Sequence, residues 1–122
     1  MQTREGYKTY ITIRHKVFGQ HRWPEPFNDE LQFLASPHSH QFGIRVKMAV
    51  THLDRQKEFF DEKGKLIDHL KTSFLEIGPA GCLDFGTMSC EQLAELLITA
   101  FPYYSEVEVD EDGDNSATVS WQ

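Results

Sequence analysis

Residues 36–50, SPHSHQFGIRVKMAV, decide how this chain is read. In steps of two from His38 the positions are His38, His40, Phe42, Ile44, Val46, Met48 and Val50. The steps between are Ser39, Gln41, Gly43, Arg45, Lys47 and Ala49. That is the period of a β-strand with one apolar face, because successive side chains point to opposite sides of the pleat. Both imidazoles therefore share the side of the core-facing residues, at one end of the strand. From spacing alone two readings stand: polar residues solvated or hydrogen-bonded at a strand end, or metal ligands, since neutral imidazole is the commonest protein ligand for zinc.

Toward the N-terminus the alternation recurs in YITIRHKVFGQH, residues 10–21, where Ile11, Ile13, His15, Val17 and His21 share one parity. This predicts a first strand ending near Gly19. His21 adds a third imidazole to His38 and His40. Three such ligands leave a fourth tetrahedral position open, which is the arrangement of a catalytic rather than a structural zinc site. Between the strands, RWPEPFNDELQFLASP (22–37) exceeds the usual hairpin loop of about two to five residues and is read as a long, functional connection.

Toward the C-terminus, DEKGKLIDHLKTSFLEIGP (61–79) sets Leu66, Ile67, Leu70 and Phe74 at helical spacing, with Gly64 weakening its start and Gly78-Pro79 as a stop signal. A second helix starts at Ser89 as N-cap, with Gln92 three residues on completing a capping box and Met88 and Leu93 placed for a hydrophobic staple. Leu93, Leu97 and Ala100 mark its buried face and Pro102 ends it. EVEVDEDGDNSATVSW (106–121) then reads as two strands around a Gly/Asp/Asn turn. Its parity puts Glu111 with Val107 and Val109, so a carboxylate falls at the end of an apolar strand face. There it needs a cation, a metal or a ligand donor, or else forms a rim salt bridge.

The order β-β-α-α-β-β predicts one α+β domain over residues 1–122, a four-stranded antiparallel sheet with two helices on one face. The first two strands are longer than two helices can cover, which predicts pairing with further subunits. With 122 residues and 39% hydrophobic content there is material for one core. Nineteen acidic against twelve basic residues, a net charge of -7, argue against nucleic acid as a partner. No stretch is apolar enough for a signal peptide or a membrane span, so a cytoplasmic protein with two reduced cysteines, Cys82 and Cys90, is expected. Cys90, in the first turn of a helix, is either a thiol of lowered pKa or a small buried hydrophobe. His15, His52 and His69 read as structural. Cys-x-x-Cys, a glycine-rich phosphate loop and G-x-S-x-G are all missing from the sequence.

GQHRWP, PHSHQFGIRV, SCEQLAELL and VEVDE fall in the order and approximate spacing of the 6-pyruvoyl-tetrahydropterin synthase and 6-carboxytetrahydropterin synthase family, and the resemblance runs from about Lys8 to Trp121. It implies the tunnelling fold (T-fold), an oligomeric barrel of several subunits, a hexamer or similar, with sites between them. By the same resemblance His21, His38 and His40 hold Zn2+, with Ser39 replacing the family's glycine. Ser89 stands where a threonine contacts the pterin, and Glu111 where a glutamate grips the edge of its pyrimidine ring. The chain departs from the family at two places: QFLASP holds no catalytic cysteine, and CLDFGTM keeps Leu83 and Asp84 but has Phe85 where the family's proton-transferring histidine follows. Asp84 is then the surviving member of the relay. The resemblance thus implies a zinc-dependent lyase acting on dihydroneopterin triphosphate or a related pterin, or alternatively a homologue that retains pterin and metal binding without turnover.

Overall fold

The computed structural model describes every residue except Pro79, so the expected stop at Gly78-Pro79 lies partly outside the described residues. Strand β1 spans Thr9–His21 and β2 His38–Val50, and they pair antiparallel over their whole length, from Thr9 opposite Val50 to His21 opposite His38. Helix α1 (Phe59–Ser73), two short strands β3 (Glu76–Ile77) and β4 (Cys82–Gly86), helix α2 (Cys90–Ala100) and the hairpin of β5 (Tyr104–Glu111) and β6 (Asn115–Ser120) follow.

The sheet has six strands in the order β3-β4-β1-β2-β5-β6 rather than the four expected. The four long ones are antiparallel as read, whereas β4 joins β1 in parallel and makes the sheet mixed. Only Leu83 and Phe85 of β4 are buried, too short an alternation between glycines to mark a strand. Three further details refine or correct the expectations. β1 continues past Gly19 to His21, because Gly19 is the one residue that lets the Phe85 ring lie on the backbone there; a Cβ would collide with that ring and stand 2.9 Å from Phe42. Helix α1 begins before Gly64, at Phe59, with the Glu58 carboxylate accepting the N–H groups of Phe60 and Asp61 at 2.9 Å each. Ala100 is exposed, and the buried face of α2 is Cys90, Leu93, Ala94, Leu97 and Ile98.

Both helices lie on one face, where Leu66, Leu70, Leu93, Leu97 and Ile98 cover Ile13, Phe42, Ile44, Val46, Met48, Val107 and Val109. Each such side chain contributes about 1.5–3 kcal/mol when fully buried. The capping box at the start of α2 is present in both directions, Ser89 Oγ accepting the Gln92 N–H at 3.2 Å and the Gln92 carboxamide oxygen accepting the Ser89 N–H at 2.9 Å. Among the described residues no helix is long and apolar enough to cross a membrane.

His15 lies on the helix-facing side of β1, half-buried. Its pKa is held below the ordinary histidine value first by burial and then by Lys63 and Lys71. The neutral ring is the form that suits the fold, so protonation opposes folding. That penalty is absent above the unfolded value of about 6.5 and grows as pH falls below it. His15→Gln is therefore expected to lose less stability than the parent between pH 7 and pH 5, measured by urea midpoints; parallel curves would show that His15 carries none of the acid sensitivity.

Candidate metal centre

The full pairing of β1 with β2 builds the site. His21 and His38 are direct cross-strand partners, and His40, two residues on, lies on the same face. The pairing of β1 with β4 shifts between Gln20 and His21, an irregularity of the kind that re-aims a side chain at a strand end. Phe42, fully buried, forms the floor: its ring stands edge-on to His21 at 5.1 Å and to His40 at 5.7 Å between centroids. The three imidazoles lie 4.6, 5.2 and 5.5 Å apart, centroid to centroid. One ring nitrogen of each comes within 4.8 Å of the other two.

What faces the other nitrogens decides the tautomers. His21 Nδ1 lies 2.8 Å from the Met88 carbonyl, His38 Nδ1 2.9 Å from the Ser36 carbonyl, and His40 Nδ1 2.7 Å from Asp112 Oδ2. Each partner only accepts, so each Nδ1 donates to it and each Nε2 is left to face away from that partner. This is the outer-shell arrangement that orients metal-bound histidines. The Nε2 atoms of His21 and His40 are also buried and have no hydrogen-bond partner among the described residues. Buried ring nitrogens without a partner cost free energy, and a cation held between the rings would supply one. The donor set therefore fits a divalent cation.

Glu111 sits at the end of β5, opposite Phe42, with its side chain about one-third exposed and turned toward the imidazoles. Its Oε1 lies 3.3 Å from His21 Nε2 and its Oε2 3.4 Å from His40 Nε2. The turn that follows places Asp112. Asp112 and Gly113 both have positive φ, 59° and 73°, and the Asp114 N–H closes the turn on the Glu111 carbonyl, inside the pairing of Glu111 with Asn115. Asp112 also accepts the Gln41 N–H at 2.8 Å, so β2 and the hairpin are clamped at the level of His40. Those contacts hold its carboxyl below the ordinary range, the hydrogen bond from His40 contributing most. The acidic run DEDGD reads in the sequence only as a turn; the contact of Asp112 with His40 is visible only once β2 and β5 are paired.

The other candidate residues lie differently. Ser89 caps α2, its oxygen engaged by Gln92. Cys90 adjoins Glu111, its Sγ 3.8 Å from Oε1, and burial followed by the Glu111 charge pushes its thiol up to about 12. Of the two readings of Cys90, the small buried thiol holds and the lowered pKa does not, because burial beside a carboxylate outweighs the helix terminus. Asp84 pairs with Gln20, so it lies on the face opposite His21, where its carboxylate accepts the Gly86 N–H at 2.9 Å. One chain does not bring it to the imidazoles. Phe85 is 2% exposed and packs on Phe42 and Phe74. The loop 22–37 carries a 3₁₀ helix, Asp29–Ala35, capped by Asn28, and it ends at Ser36, the residue that holds His38. His69, on α1, stands edge-on to Phe101, and His52 accepts the Asp54 N–H; neither joins the cluster.

No family model matches the sequence, and no curated protein matches it significantly. Solved structures do. An uncharacterized protein of Wolinella succinogenes superposes with a TM-score of 0.68 at 14% identity, covering 96% of this chain and 100% of its own. The 6-pyruvoyl tetrahydropterin synthase of Caenorhabditis elegans gives 0.62 at 12% identity, covering 95% and 97%. The Plasmodium falciparum enzyme of the same name gives 0.55 at 11%, covering 92% and 96%. At these identities the likeness shows the fold: the chain has the fold of the 6-pyruvoyl tetrahydropterin synthases.

Proposed function

We propose that this chain, built on the 6-pyruvoyl tetrahydropterin synthase fold, is a divergent member of that family that binds Zn2+ and acts on dihydroneopterin triphosphate or a related pterin by lyase chemistry. One observation carries the reading: three imidazoles with every Nδ1 engaged turn their Nε2 atoms toward one another, two of them buried without a partner. His21, His38 and His40 would hold the metal. When bound, it supplies Lewis-acid polarisation of side-chain oxygens of the substrate. The chain's own residues do the rest. Ser89, at the start of α2, and Glu111, at the end of β5, would anchor the ring, and Phe42 packs under the imidazoles.

Asp84 would reach a substrate only from a neighbouring subunit, which accords with an oligomer whose sites lie between chains. β3 and β6 are edge strands, and Phe18, 51% exposed on the face away from the helices, is available for such contact. We place the protein in the cytoplasm.

A second reading, binding without turnover, is favoured by one specific feature. The position of the family's histidine is filled by a buried phenylalanine, and the nearest thiol, Cys90, is neutral. Losing one general acid or base costs about 10²–10⁴-fold in rate, so two missing groups leave little of the standard reaction. Incubating zinc-loaded protein with dihydroneopterin triphosphate, with mass-spectrometric detection of products, separates the two. Product expected from the parent and absent from His38→Ala supports the lyase; unchanged substrate from protein that retains zinc leaves the binding reading.

A further inference from the structure

We infer that Asp110 is a positioning residue of the metal centre, holding Asp112 against His40 from the opposite face of the sheet, a role that rests on the metal reading of the triad. Asp110 lies opposite Gly43 in the pairing of β2 with β5, so its side chain belongs to the face away from the helices, whereas the imidazoles share the face of Phe42. The hairpin joins the two faces. The N–H groups that flank Phe42 on β2 both end on hairpin carboxylates, Gln41 on Asp112 at 2.8 Å and Gly43 on Asp110 at 3.2 Å. The same Asp110 oxygen, Oδ1, also accepts the Gly113 N–H at 2.8 Å. Asp110 therefore ties the residue after Asp112 back to the strand that carries His40.

That tie matters because of the backbone it restrains. With φ of 59° and 73°, Asp112 and Gly113 lie in the left-handed region, which a residue with a Cβ adopts at a cost. Such a turn persists only where its surroundings hold it. Asp110 supplies one hold at Gly113, and the Gln41 carbonyl supplies another by accepting the Asp112 N–H at 2.8 Å. Asp112 Oδ2 is thereby delivered 2.7 Å from His40 Nδ1. Gly43 completes the device from β2. A Cβ there would stand 2.8 Å from the Asp110 carboxyl carbon and closer still to one of its oxygens, so a side chain at 43 would push the carboxylate off the strand.

The test uses Zn2+ itself with the parent, Asp110→Ala, Asp110→Asn and Gly43→Ala, reading affinity by competition with a chromophoric chelator and the imidazole ring protons by NMR of the zinc-loaded, histidine-labelled proteins. Asp110→Ala is expected to bind Zn2+ about tenfold more weakly, the lower end of what loss of an outer-shell partner costs. It is also expected to lose the His40 Nδ1 proton signal to water exchange while those of His21 and His38 persist. Gly43→Ala, which displaces the carboxylate, is expected to do the same. Asp110→Asn keeps an oxygen to accept both N–H groups and is expected to stay within about twofold of the parent. Parental affinity and an unchanged His40 signal in Asp110→Ala overturn the inference while leaving the histidine site intact. A loss that all three ring protons share alike also overturns it, as does a loss in Asp110→Asn as large as in Asp110→Ala. A parent that binds no zinc overturns the triad and this inference together. If Asp110→Ala does not fold, judged by circular dichroism, Gly43→Ala decides by the same two readings.

Discussion

His21→Ala is expected to leave the protein without metal after dialysis, its affinity for Zn2+ falling by at least 10²-fold. His21 is the most buried of the three ligands, 8% exposed, and it touches every other part of the centre: its ring meets both His38 and His40, its Nδ1 is tied to Met88, and its Nε2 faces Glu111. Removing the ring deletes one donor and leaves the Met88 carbonyl unpaired. Asp112→Asn gives the graded comparison. The amide keeps an oxygen for the Gln41 N–H, but its NH2 group cannot accept the proton on His40 Nδ1. Loss of such an outer-shell partner costs about 10–100-fold in metal affinity. Isothermal titration of the metal-free proteins orders them: parent tightest, Asp112→Asn intermediate, His21→Ala weakest. Asp112→Asn binding as tightly as the parent would mean that the His40 tautomer is set by something other than Asp112.

The three clustered imidazoles were legible in the sequence because strand period is a rigid code: once 38–50 is a strand, His38 and His40 must share the face of Phe42. That His21 stands directly opposite His38 is a register fact, set by thirteen paired residues on each strand and by no local pattern. The outer shell was hidden for a related reason. Two of its three acceptors are backbone carbonyls, Met88 and Ser36, which any residue supplies, and the third, Asp112, is one acid in a run of acids. The two short strands escaped because β3 and β4 are held by their neighbours rather than by their own sequence; β4 reads as a strand only when Gly19 admits Phe85. Cys90 shows the same limit in electrostatic form. A helix N-terminus argues for a reactive thiol, but the Glu111 carboxylate that overrules it comes from a strand 21 residues away.

That pairing of Gly19 with Phe85 carries the largest expected effect on stability. Phe85 is 2% exposed, its ring edge-on to Phe42 at 5.0 Å and to Phe74 at 4.8 Å. Phe85→Ala removes this wedge and leaves a void against the backbone of Gly19, at a cost of about 3–5 kcal/mol. For a chain of this size that lowers Tm by about 10–20 °C. Gly19→Ala is destabilising for the opposite reason: its methyl is driven into the same ring, and in a close-packed interior such overpacking costs about 1–3 kcal/mol. The two changes are expected to couple. In the double variant the clash with Phe85 is gone and the new methyl partly fills the void, leaving only the 2.9 Å approach to Phe42 to be relieved by a small ring shift. Urea unfolding of the two single variants and the double should therefore give a combined loss smaller than the sum, by about 1 kcal/mol or more. Strict additivity would separate Gly19 from Phe85, and β1 would then tolerate a side chain at Gly19 as far as Phe85 is concerned.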